Sequence, residues 1–224
     1  MTQKNQQKTA EFWKSQDTHT APALMKAKKP RGVKSDPVEQ ALSAQYTMGS
    51  GCDFDRRWIY LFGEITEDTA YRFLVTFRAM DSSPGPIKLI ICSPGGAEAS
   101  GYAIYDAIRE ARNRVEAIGY GAVQSVAAII MQAAAIRRLT PSSTFLVHNG
   151  SLVFEHSDMN VDTLLRISKQ VELSNAKQIE VFKARSKLSV ADIEKVCLED
   201  RDMSVEEAIV YGFIDSIYFG EGKK

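Results

Sequence analysis

From Arg57 onward, short apolar runs alternate with segments whose apolar residues recur at helical spacing. WIYLFG, starting at Trp58, reads as a buried strand. Thr66 follows as an N-cap, with Glu67 and Asp68 in the first turn and Ala70, Phe73, Leu74 and Phe77 on one helical face. SSPGP is a turn, IKLIIC a second buried strand, and SPGG a break before a helix marked by Ile104, Ala107, Ile108 and Ala111. VEAIG is a third strand and TFLVH a fourth. This alternation predicts an α/β domain with a mostly parallel sheet, flanking helices and right-handed crossovers.

The second half is more helical. From Val161 to about Arg185, Leu164, Leu165, Ile167, Val171, Leu173, Ile179 and Phe182 recur with no Gly or Pro between them. That is long for a helix in a small domain. It either protrudes and meets a partner or is a core helix with a break. In SVEEAIVYG, Ser204 and Glu207 have the spacing of a capping box and Gly212 is the helix stop. FIDSIYF is the last strand, and there is no internal repeat.

The first residues break the pattern. Positions 1–44 are rich in Lys, Gln and Thr and poor in aliphatics, and are expected to form a mobile basic tail. Such a tail binds a partner or is cleaved off. Residues 45–224 form the domain. The whole chain of 224 residues suits one domain with a sizeable core, and its 28 basic and 28 acidic residues give no argument for nucleic acid. The three cysteines, Cys52, Cys92 and Cys197, have neither metal-ligand spacing nor a paired framework, which fits a reducing, cytoplasmic setting. The run from Val126 to Ile136 is too short to span a bilayer, so no membrane role is expected. No secretory signal is visible.

Candidate chemistry gathers at one edge of the predicted sheet. Ser125, in YGAVQSVAAIIMQAAAI, follows the strand VEAIG across a short glycine-containing turn and opens a helix. It is either an N-cap or a nucleophile. The C-terminal edge of an open α/β sheet is where ligand sites lie, and a helix N-terminus there favours negative charge. Of the three histidines, His148 ends the strand TFLVH and shares that edge. SPGG falls there too, as a simple turn or as a backbone N–H aimed at an oxyanion. A histidine base needs a carboxylate to hold its tautomer. LEDRDMS offers Glu199, Asp200 and Asp202.

Together these residues resemble the ClpP family, the proteolytic subunit of the Clp serine protease. SPGG comes first, then Gly-x-x-x-Ser followed by small residues, then a strand ending in His, then DRDMSVEEAIVYGFID. The resemblance covers about Arg57 to Phe219. It implies a ClpP/crotonase-type fold with the long helix protruding. It also implies Ser125 as nucleophile, His148 as base, Asp200 as third triad member, and Gly96 and Val126 as backbone donors of the oxyanion hole. No metal or organic cofactor is implied. The family pattern implies a homo-oligomer of stacked heptameric rings around a chamber. The stretch after His148 and the long helix would form the handle between rings. An AAA+ unfoldase or related ring subunit would deliver protein or peptide substrates. Several positions differ from that pattern. GAVQSVAA stands where the family is close to GQAASMGA, so Gln124 replaces a small residue. NGS follows His148 in place of Gln-Pro, and SAQYTMGSGCDFDRR is unlike the usual axial-loop region. Asp202 stands where relatives are often bulky and apolar, and is expected to be exposed or paired with Arg201.

The leading expectation is a serine endopeptidase. A dedicated processing or viral protease of the same fold, for example in capsid maturation, is a variant of it. A non-catalytic ring subunit and a crotonase-type acyl-CoA enzyme, which holds a thioester oxyanion with paired N–H groups, are the alternatives.

Overall fold

The structure, a computed structural model, describes residues 45, 47–49, 51–150 and 160–221. The predicted tail, His156 and the handle segment just after Gly150 lie outside the described residues. Strands β1 (Cys52–Asp53), β2 (Trp58–Phe62), β3 (Ile87–Ser93), β4 (Val115–Gln124), β5 (Ile136–Leu139), β6 (Thr144–Leu146) and β7 (Ser216–Ile217) form one sheet, in the order β1-β2-β3-β4-β5-β7 with β6 also on β4. Of the pairings between these seven strands only β1–β2 is antiparallel. Helices α1 (Glu67–Asp81), α2 (Glu98–Arg109), α3 (Val126–Gln132), α4 (Val161–Lys183), α5 (Val190–Glu199) and α6 (Val205–Tyr211) complete the α/β fold.

Strand β4 is longer than predicted. The Gly119 and Gly121 pair reads as a turn, yet the strand runs on to Gln124. It bends instead: Gly121 has φ +60°, and the register with β3 shifts between Ile91 and Ser93. Below the bend, Glu116 to Gly119 pair with β5, and above it Ala122 to Gln124 pair with β6. The turn joining β5 to β6 closes on the bend. The Gly119 carbonyl accepts from the Thr140 N–H at 3.0 Å and from Ser143 Oγ at 3.1 Å. One strand thus serves two consecutive neighbours, and its upper half ends at the nucleophile candidate.

Strand β5 was absent from the sequence prediction because IRRL looks polar. Both arginines are neutralised by partners. Arg137, 4% exposed, donates through Nη2 to Asp215 at 2.5 Å and through Nη1 to Gln132 at 2.6 Å. Arg138 pairs with Glu116 at 3.1 Å. Burial opposes ionisation of Asp215, but the bonds and charge of Arg137 outweigh it and hold that carboxyl below the usual range.

The core lies on both sides of α3, all seven of whose residues are buried. A helix that is buried all round belongs in a core rather than on a surface. Phe145, Phe182 and Phe213 pack beside it, with the Phe182 and Phe213 rings 5.2 Å apart. The long helix α4 has two characters. Its buried residues, Gln178, Val181 and Phe182, lie in its last two turns, whereas Val161, Leu165 and Leu173 are at least 64% exposed. It therefore extends beyond the core, the first of the two readings the sequence left open.

The helix caps follow the sequence with one correction. Thr66 accepts from the Thr69 N–H, and Gly212 ends α6 at φ +81°. Ser204 accepts from the Glu207 N–H at 3.2 Å, but the Glu207 carboxylate does not return the bond; it is taken by Arg201 and Tyr211. A full capping box forms at Ser189 and Asp192. No helix among the described residues is long and apolar enough to cross a membrane.

Candidate active site

Ser125 stands directly between β4 and α3, with no turn before it. Its backbone has φ 55° and ψ −130°. For an L residue that costs on the order of 1–3 kcal/mol and persists only where neighbours enforce it. The neighbours are β6 and α3. The Ser125 N–H donates to the Leu146 carbonyl at 3.0 Å, and its carbonyl accepts from the Ala128 N–H at 2.9 Å. This turn throws the side chain clear of both ladder and helix. The hydroxyl makes no cap bond, so the N-cap reading fails. Oγ instead lies 2.9 Å from His148 Nε2.

His148 comes two residues after β6 rather than at its end. The parallel register places Gln124 opposite Leu146, so the residues just beyond each strand meet. The His148 main chain is tied down from the other side. Its carbonyl accepts from Nε2 of the buried Gln178 on α4 at 2.8 Å, and the Asn149 N–H donates to the Cys197 carbonyl at 3.3 Å. The imidazole is about one-fifth exposed, open to a substrate yet held in place.

The three candidate acids separate by geometry. Glu199 accepts from Arg201 Nε at 3.0 Å. Asp200 ends α5 in the left-handed region, φ 44° and ψ 52°, which Asp tolerates better than most residues. Its Oδ1 lies 3.9 Å from His148 Nδ1, and its side chain is 66% exposed. At that distance the contact is not a hydrogen bond. Asp202 is exposed, the first of the two expectations, and is not paired with Arg201. Arg201 is engaged by Glu199 and, at 2.9 and 2.5 Å, by both oxygens of Glu207, whose carboxyl it holds below the usual range. It reaches only the main-chain carbonyl of Asp202, at 3.4 Å. The Asp202 carboxylate accepts from Gln124 Nε2 at 2.7 Å.

SPGG lies over the serine. A Cβ on Gly95, at φ +100°, would fall 2.6 Å from Ser125 Cβ and 3.1 Å from its Oγ. A Cβ on Gly96, at φ +149°, would fall 2.4 Å from the Ile65 carbonyl oxygen. Only glycine fits either place. The segment is pinned by the Ile65 N–H to the Gly95 carbonyl at 2.8 Å and the Ala97 N–H to the Ile65 carbonyl at 2.7 Å. Those bonds bypass the Gly96 N–H. Val126 opens α3, so its N–H has no acceptor within the helix. The Val126 N–H therefore stands next to the serine in the chain, and Gly95 packs against its side chain.

Of the residues expected at the site, the structure brings Ser125 and His148 into contact and leaves Asp200 at 3.9 Å from the histidine; three further neighbours are not apparent from the sequence. Gly95 was visible only as part of a turn. Gln178 carried a usable signal, a polar residue one position from the apolar stripe of α4. The Gln124–Asp202 bond joins positions too far apart in the chain for any local pattern to reveal.

A strained serine at the end of a parallel strand with a histidine at its hydroxyl is the arrangement that acyl transfer by a nucleophilic serine requires. Comparison with known proteins points the same way. The Clp protease family model matches residues 48–221. ATP-dependent Clp protease proteolytic subunit 3 of Rhizobium meliloti is 30% identical over 193 residues, covering 83% of this chain and 96% of the relative. Proteolytic subunit 2 of Treponema denticola is 31% identical over 173 residues, covering 72% and 81%. Proteolytic subunit 1 of Chlamydia muridarum is 27% identical over 173 residues, covering 74% and 88%. The match spans every element from β1 to β7 and both strand ends at which serine and histidine meet: the chain belongs to the Clp protease family and is a serine endopeptidase.

Proposed function

We propose that this endopeptidase works through Ser125, His148 and Asp200. His148 Nε2 takes the proton of Ser125 Oγ as that oxygen attacks the peptide carbonyl. The N–H groups of Gly96 and Val126 receive the oxyanion. His148 then protonates the leaving amine, and water releases the acyl-enzyme by the reverse path. Asp200 steadies the imidazolium. Its contact lengthens in the resting chain and closes to a hydrogen bond when the site is loaded, a common change between free and engaged sites. The observation that carries this reading is the 2.9 Å Ser125–His148 contact, made by a serine whose backbone is held in a strained state.

The matched relatives are named as ATP-dependent proteolytic subunits. By that likeness, this chain forms stacked heptameric rings in the cytoplasm and receives unfolded protein from an AAA+ unfoldase. The exposed Val161, Leu165 and Leu173 of α4 support assembly, because a lone solvated helix has no use for such a stripe. Labelling with a fluorophosphonate probe tests the chemistry: wild type is modified at Ser125, and His148→Ala is not. Modification of wild type at another residue, or none, sinks the assignment. Sedimentation tests the assembly, and a species of 24.9 kDa at every concentration and salt would exclude rings.

A further inference from the structure

We propose that Gln124 and Asp202 form a strap that holds the Asp200 turn within reach of His148, so that both are positioning residues for peptide hydrolysis. The proposal rests on the triad assignment above. Gln124 is the last residue of β4, immediately before Ser125, and its backbone is registered against Leu146. Its Nε2 donates to Asp202 Oδ1 at 2.7 Å, a bond well inside the usual range. The acceptor lies on the segment that carries Asp200.

That segment has two other attachments. Asp200 closes α5, and Met203 exchanges backbone bonds with Phe145 at 2.8 and 3.1 Å. The first fixes the segment to α5 and the second to β6. Among the hydrogen bonds of the described residues, the strap alone joins it to the nucleophile's own strand. A single residue, Arg201, separates Asp200 from Asp202, at most about 7 Å of chain, so a shift at one is passed to the other. Arg201 does not compete for the carboxylate, because Glu199 and Glu207 occupy its guanidinium.

The strap contributes little to stability, because the pair is exposed and water is a ready substitute. Position is where it acts. Asp200 stands at 3.9 Å from His148 Nδ1, roughly 1 Å beyond hydrogen-bond range. Displacements of about 1 Å at catalytic groups cost up to a hundredfold in rate. A loop whose side chain is two-thirds exposed has few other means of staying within that margin.

The experiment is steady-state peptide hydrolysis by the assembled full chain, with thermal melting of each variant. Gln124→Ala and Asp202→Ala are each expected to lower kcat about five- to twentyfold with KM within about twofold. Their melting temperatures stay within about 2 °C of wild type. The double alanine variant is no worse than the worse single one, since the second change removes a partner already lost. Asp202→Asn retains an acceptor oxygen and stays within about threefold of wild type. Gln124→Glu sets two carboxylates against each other and loses at least as much as Gln124→Ala. Combining Gln124→Glu with Asp202→Asn reverses donor and acceptor and restores kcat to within about threefold. A residue of merely structural value would not show that reciprocal rescue at unchanged melting temperature. Single alanine variants with wild-type kcat, multiplicative losses in the double variant, or no rescue by the reversed pair would overturn the strap. Failure of the triad assignment shows separately, as hydrolysis retained by Ser125→Ala.

Discussion

The two halves of the site are built differently. Ser125 and His148 sit at the ends of adjacent parallel strands, and the ladder between β4 and β6 brings them to 2.9 Å. Asp200 sits on a helix-end turn, two-thirds exposed, at 3.9 Å. The strand-borne pair inherits its spacing from backbone hydrogen bonds and a buried core. The loop-borne member depends on side-chain bonds that solvent can replace. Precision in this site therefore falls off with distance from the sheet, and substitutions should be felt in that order.

The harshest break is Ser125→Ala, which removes the attacking oxygen. Hydrolysis is expected to drop by at least about four orders of magnitude with the fold intact, measured on a chromogenic peptide beside a melting curve. Residual turnover near wild type would mean another nucleophile. Gly95→Ala comes next, because its Cβ would sit 2.6 Å from Ser125 Cβ at φ +100°. A loss of about a thousandfold is expected, with a stability cost of order 1–3 kcal/mol; a variant as active as wild type would show that the serine turn yields. Asp200→Asn tests the loop half. It keeps the shape but favours the wrong tautomer, and a loss of about a hundredfold in kcat is expected. A loss equal to that of Ser125→Ala would erase the contrast between the halves.

The smallest effect on turnover lies below the site. Asp215→Asn leaves Arg137, 4% exposed, without its anion. About 2 kcal/mol of stability should be lost, less than for a fully buried pair because Asp215 is partly exposed. The folded Asp215 carboxyl is held low, so its contribution is complete above the ordinary carboxylate range, near pH 4, and lost as pH falls through the folded value. The gap in melting temperature between wild type and variant should hold at neutral pH and close only in acid. A gap that opens on acidification would refute the sign.

Much of this was legible from local pattern. Parallel strands announced themselves as apolar runs between helical stretches, and Thr66 and Gly212 marked helix ends where they occur. Ser125 and His148 were legible because each lies within two residues of a strand's end, a position that local sequence reveals. Asp200 was singled out by resemblance alone, since three acids shared one short segment and only tertiary partners divide them. Strand β5 was hidden because its arginines are neutralised by Asp215 and Glu116, distant in the chain. The upper half of β4 was hidden because two glycines look like a turn, and whether they turn or bend depends on the neighbours they pair with.

The bend in β4 has a consequence for how this chain can vary. Below Gly119 the strand belongs to a ladder with β5, and above Ala122 to one with β6. Inserting one residue between them would leave the lower ladder untouched. It would push Ser125 forward by about 3.3 Å and turn its neighbours to the opposite face. The sheet would survive and the site would not. Gene sequences descended from this one should thus keep the number of residues between Gly119 and Ser125 fixed, whatever else about the segment changes.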